Sequence, residues 1–109
     1  MIRIDSIWLA TVPLDMRAGM DAVLTRVVNV FGEARPHTAY LFANRRTTRI
    51  KVLVHDGYGL WLCARRLQRG MFCWTDASQG EIAPLSKAQL QALLIGLPWQ
   101  RIDAVIRAA

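Results

Sequence analysis

From Met20 to Phe31 apolar side chains return every three or four positions, whereas from Ala39 to Trp74 they come in short β-prone runs broken by turn-forming clusters. A chain that switches period in this way must build both a helix and a sheet. In the first stretch Met20, Val23, Leu24, Val27, Val28 and Phe31 form one face, and Arg17, Asp21, Thr25, Arg26 and Asn29 fall on the other. This predicts an amphipathic helix with Asp15 as its N-cap and Gly32 at its end, where glycine takes a left-handed conformation readily. In the second stretch the clusters Asn44-Arg45-Arg46-Thr47, Asp56-Gly57-Tyr58-Gly59 and Gln68-Arg69-Gly70 predict an antiparallel meander. The chain has 109 residues, 53% of them hydrophobic, which suits one compact domain over residues 1–109 and excludes a two-domain enzyme.

Two flanking regions complete the expected architecture. Ile7 to Val12 is an apolar run that Pro13 closes, consistent with a short strand near a sheet edge. Near the other end, Ser86-Lys87-Ala88-Gln89 matches a capping box, and Leu85 can staple onto Leu90. Leu90, Leu93 and Leu94 supply an apolar stripe, Gly96 stops the helix, and Pro98 is placed to open a last helix with Trp99, Ile102, Val105 and Ile106 inward. The expected fold is α+β, an antiparallel meander of about four to six strands packed against one N-terminal helix and one or two C-terminal helices.

The middle hairpin invites a specific register. A three-residue loop, Asp56 to Tyr58, with a positive φ at Gly59, would pair Ile50, Val52 and Val54 with Ala64, Leu62 and Leu60 on a wholly apolar face. Arg49, Lys51, Leu53 and His55 would then stand beside Arg65, Cys63 and Trp61 on an outward basic face, since side chains alternate along a strand.

That hairpin holds the charge. Seven cations, Arg45, Arg46, Arg49, Lys51, Arg65, Arg66 and Arg69, stand in one segment against the single acid Asp56, so the segment carries the whole net charge of +6. Twelve of the fourteen basic residues are Arg, whose planar guanidinium suits bidentate contact with phosphate. These seven residues are therefore the candidates for binding nucleic acid, with affinity that falls as salt rises. Both predicted helices direct their apolar faces to the core and offer few Arg or Asn outward, so a β-ribbon or backbone-binding mode fits better than a recognition helix. A solvated face, or an interface for an acidic protein, would show the same composition. Trp61 could stack on a base, but an aromatic beside Arg side chains is more often a cation–π or packing element.

Little else in the sequence points to chemistry. Cys63 and Cys73 form no CxxC pair and are expected to be reduced, acting as small hydrophobes in strands. His37 and His55 lack the spacing that, with these cysteines, would specify zinc. His55 reads as a turn-flanking side chain, the eight carboxylates are scattered, with Asp15, Asp21 and Asp103 as caps or helix-surface charges, and no glycine-rich phosphate loop is present. No enzyme activity, metal or cofactor is expected. The longest uncharged stretch near the start, Ser6 to Leu14, contains Pro13 and is too short to span a bilayer, and no secretory signal is visible, so a cytoplasmic protein is expected.

Several blocks together resemble a known family. Val12-Pro13-Leu14-Asp15-Met16-Arg17-Ala18-Gly19-Met20-Asp21, Phe42-Ala43-Asn44-Arg45-Arg46, Arg49-Ile50-Lys51-Val52-Leu53, Asp56-Gly57, Leu60-Trp61-Leu62 and Arg65-Arg66-Leu67-Gln68-Arg69-Gly70-Met71-Phe72, followed by Trp74, resemble the small accessory proteins of insertion sequence sixty-six type transposons. That family is often called TnpB, or the second open reading frame product, and is unrelated to the RNA-guided nuclease of the same label. The resemblance runs from about Trp8 to Trp99. It implies a non-catalytic bacterial protein that assists transposition of the element alongside a separate, larger transposase. The implied partners are DNA, at element ends or target, and the transposase; copies of the chain could also pair through an exposed sheet edge. An adaptor that docks on the transposase without touching DNA is the alternative, and a metal-assisted nuclease is a third, unexpected class. The sequence departs from the family at His55, where Trp is usual, at Cys63-Ala64, where an aromatic pair is usual, and at Gln68, often Glu. These departures thin the aromatic content expected of the basic face.

Overall fold

The computed structural model describes residues 2–102, the side chain of Gln79 excepted. Strands β1 (Ser6–Ala10), β2 (Thr38–Ala43), β3 (Arg49–His55), β4 (Leu60–Arg66) and β5 (Ile82–Leu85) form one sheet in the order β4-β3-β2-β1-β5. Helix α1 (Met20–Phe31) joins β1 to β2, which run parallel; every other pairing is antiparallel. Helix α2 (Lys87–Leu94) follows β5, and a short 3₁₀ turn, Trp99–Arg101, follows α2. The fold is α+β as expected, but the sheet is mixed. β1 lies in its interior, because β5, whose Pro84 and short length hid it in the sequence, covers the edge that β1 would have occupied. The run Met71 to Trp74 is not a strand.

At the centre of the sheet both faces are buried. On one, Ala10, Tyr40, Phe42 and Leu53 pack with Val23 and Val27 of α1, and the ring of Phe31 meets Tyr40 and Phe42 at centroid distances of 4.8 and 6.0 Å. On the other, Ile7, Leu9, Ala39, Leu41, Ile50 and Val54 pack with Leu93 of α2, Phe72 and Trp99. The irregular segment after β4 is fastened by two indoles: Trp74 Nε1 donates to Ala10 O at 3.0 Å, and Trp99 Nε1 donates to Cys73 O at 2.8 Å.

Local signals at the helix ends had mixed outcomes. Gly32 closes α1 at φ +91°, its N–H donating to Val28 O. Ser86 and Gln89 form the expected capping box on α2, and Leu85 is buried. The N-cap of α1, however, is Gly19, without a side-chain bond; Asp15 lies four residues upstream in a turn of its own. Its carboxylate accepts from the backbone N–H of Arg17 at 2.9 Å and from Arg17 Nη2 at 2.8 Å. Val28, expected on the inner face of α1, is 45% exposed, and Arg26, expected outward, is half-buried. Pro98 precedes a 3₁₀ turn, with Trp99 buried and Ile102 packed on the core; Asp103, Val105 and Ile106 lie outside the described residues.

Three outcomes are expected from the α2 cap and the Asp15 turn. Ser86→Ala removes the side-chain acceptor of the capping box and should lower unfolding free energy by about 1 kcal/mol, read from denaturant midpoints. The hydrogen bond from the Arg17 side chain holds the Asp15 carboxyl at about 2, below its ordinary 3.8. Because the folded value is depressed, the stabilisation from this turn is complete above the unfolded value and is lost as pH falls through about 2. Arg17→Ala should bring the Asp15 carboxyl-carbon NMR titration back towards 3.8.

Candidate nucleic-acid interface

The register that places the cations differs by one residue from the expected one. Observed partners are Arg49 with Arg66, Ile50 with Arg65, Lys51 with Ala64, Val52 with Cys63, Leu53 with Leu62, Val54 with Trp61 and His55 with Leu60. The cause lies in the loop, which has four residues, Asp56 to Gly59. Asp56 Oδ1 accepts from the N–H groups of both Tyr58 and Gly59 at 2.8 Å, Asp56 N donates to Gly59 O, and the positive φ, +94°, falls at Gly57. His55 flanks the loop as expected, its Nδ1 accepting from Gly57 N at 3.0 Å.

The slip divides the hairpin cations between two faces. Arg49, Lys51 and Arg66 share the α1 face with Leu53, whereas Arg65 lies on the α2 face with Ile50. The segregated hairpin, one face apolar and the other basic, is therefore not formed. A sheet covered on both sides needs apolar residues on both, and the one-residue shift supplies them. Trp61 is likewise not beside the arginines. It stands at the loop end of β4, half exposed, with Nε1 donating to Asp56 Oδ2 at 2.8 Å. The hydrogen bonds from Tyr58 N and from this indole keep Asp56 below the usual carboxylate range, so an anion holds the tryptophan. Cys63 is exposed and Cys73 half-buried; both are free thiols.

What gathers the charge is the end of the sheet and not a face. The turn between β2 and β3 is built by Asn44, whose Oδ1 accepts from Thr48 N at 2.9 Å and Arg49 N at 3.1 Å, leaving Arg45 and Arg46 exposed at its tip. β4 ends beside the start of β3, which sets Arg66 directly across from Arg49. Phe72 N then donates to Thr47 O at 2.8 Å, so the loop carrying Arg69 returns to that turn. A groove of about 800 Å³ is lined by Val12 to Met16, Arg26, Asn44, Arg45, Arg46, Thr48 and Arg49. A smaller one of about 290 Å³, sharing Met16 and Arg49 with it, adds Lys51, Arg65 and Arg66.

The cations differ in freedom. Lys51 is half-buried and donates to Ala18 O at 2.6 Å, fixing the approach to α1; Arg65 Nε donates to Leu94 O at 2.8 Å. Among the described residues, none of the seven forms a salt bridge with a carboxylate. Among the described residues, the one acid lining the larger groove, Asp15, is already engaged by Arg17. Sequence reasoning missed Arg26 and the segment from Val12 to Met16 as parts of this surface. Leu14 N donates to Ala43 O at 2.9 Å, which docks that segment beside the arginine turn, and Arg26 Nη2 donates to Pro13 O at 3.4 Å. The only sequence sign was the Val-Pro-Leu-Asp-Met-Arg block itself. Among the described residues no three His, Cys, Asp or Glu side chains cluster as a metal site requires, and no helix is long and apolar enough to cross a membrane.

Comparison with known proteins adds the biological setting. Uncharacterized protein y4hO of Sinorhizobium fredii (strain NBRC 101917 / NGR234) is 38% identical over 96 residues, 86% of this chain and 82% of that protein. Uncharacterized protein y4jC of the same strain is 29% identical over 98 residues, 88% of this chain and 82% of that protein. No solved structure matches the chain. Residues 5–104 match the family described as IS66 Orf2 like protein, nearly the whole length spanned by the sequence blocks. The chain therefore belongs to the IS66 Orf2-like family, the transposition-associated accessory proteins of that type of insertion sequence.

Proposed function

We propose that this accessory protein is non-catalytic and binds the DNA of its element, at the ends or the target, through the arginine end of the sheet. The observation that carries the reading is the Arg49–Arg66 pair. Like charges directly opposite each other across two strands destabilise a sheet. Here no carboxylate pairs with either among the described residues, Arg45 and Arg46 stand on the turn at the same end, and Arg69 lies on the loop that returns to that turn. A polyanion offsets that repulsion, and phosphates spaced along a backbone suit cations spread over a turn, two strand ends and a loop. Contact of this kind positions the protein on the duplex and does not require reading of base edges. Arg45, Arg46, Arg49, Arg66 and Arg69 are the principal contacts; Arg65 and Lys51 contribute from the sides, each already holding one backbone carbonyl. Trp61 stands at the other end of the hairpin, bonded to an acid, which opposes a base-stacking role. The transposase of the element is the expected second partner on the same DNA.

A gel-shift titration on element-end and scrambled duplexes tests this reading. Affinity should fall steeply with salt, and Arg45→Ala with Arg46→Ala and Arg49→Ala should reduce the log–log salt slope by about 0.9 for each phosphate that is no longer neutralised. Arg66→Ala should weaken binding while leaving thermal stability equal or higher, by up to about 1 kcal/mol, since it relieves a like-charge pair. Unchanged binding by the triple variant rejects the site. Absence of any shift, with nuclease-resistant co-purification of the transposase, would favour the adaptor reading instead.

A further inference from the structure

The two edges of the sheet are finished differently. β5 carries Pro84, which has no N–H to offer a further strand, a common way to blunt an edge. β4 has no proline, and its pairing with β3 runs through seven residues without a bulge. Among the described residues no backbone hydrogen bond reaches its outer side. Trp61 is 50% exposed on this strand, and Cys63 is exposed beside it. The edge is also electrically polar along its length. Its loop end holds the Asp56 carboxylate and the Trp61 indole, joined by a 2.8 Å hydrogen bond, and its far end holds Arg65 and Arg66.

We propose that β4 pairs antiparallel with β4 of a second copy of this chain, about a two-fold axis through Cys63, making one continuous sheet. Cys63 is the midpoint of Leu60–Arg66, so pairing over the whole strand places it on the axis. That register sets Trp61 opposite Arg65 of the second copy, Leu62 opposite Ala64 and Leu60 opposite Arg66. The Arg65 guanidinium of each copy then meets the indole face of the other copy's Trp61 and its nearby Asp56 carboxylate, so the contact is made twice by symmetry. Arg65 uses Nε on Leu94 O, and its Nη groups have no partner among the described residues. Parallel pairing would set Arg65 against Arg65 and Arg66 against Arg66. An acidic strand from another protein would suit the arginines but would bring like charge to Asp56. Only a strand with the same polarity, reversed, complements both ends, and β4 itself is such a strand. This proposal does not rest on DNA binding.

The test uses nuclease-treated full-length protein without DNA. Light scattering of the wild type across a dilution series should report twice the 12.3 kDa of the chain at high concentration. In a Cys73→Ser background, mild oxidation should give a disulfide-linked dimer that disappears on adding Cys63→Ser. Trp61→Arg and Arg65→Glu, each confirmed folded by circular dichroism, should separately weaken the dimer by about tenfold or more, while the double variant restores it by exchanging the charges. A wild type that stays monomeric throughout overturns the proposal. So does a dimer insensitive to both single variants, or one that Cys63 does not cross-link.

Discussion

β2 has all six of its residues buried, and the molecule is organised around the need to keep them so. A strand with partners on both sides and apolar residues on both faces requires two covering layers. Helix α1 supplies one as the crossover between β1 and β2. The other is assembled late in the chain from Phe72, α2 and Trp99, which is why residues after the meander are indispensable to it. The same demand governs the neighbour. β3 continues both layers, with Ile50 and Val54 towards one and Leu53 towards the other, so its exposed cation, Arg49, stands at the strand's start where cover runs out, and Lys51 is held beneath the approach to α1.

The elements with strong local chemistry were legible from residue types alone. The periodic stripe gave α1 to within a turn, Ser86 and Gln89 marked the start of α2, and the three turn clusters bounded the strands of the meander. What depended on distant partners was not legible. β5 is four residues with a proline, and it is a strand only because β1 offers it an edge. Asp15 has the composition of an N-cap, yet Arg17, two residues on, competes for its carboxylate and wins both its oxygens.

The hairpin register shows the limit most clearly. Side-chain sorting alone favours three residues in the loop, because that separates cations from aliphatics. The Asp56 carboxylate, accepting two backbone N–H groups, closes four instead, and a sheet covered on both sides accommodates the result. The candidate residues thus remain together for a different reason. They collect because β2, β3 and β4 reach the same end of the sheet, and the expected outward basic face is replaced by a basic rim.

The bond from Phe72 N to Thr47 O has a mechanical meaning. It links the loop bearing Arg69 to the turn bearing Arg45 and Arg46, although more than twenty residues separate them in the chain. Phe72 is itself rooted in the core, and Thr47 is held in a left-handed conformation at φ +54°. Guanidinium groups on long side chains can sweep widely, but here the backbones that bear them are yoked, so a load on one segment is shared by the other.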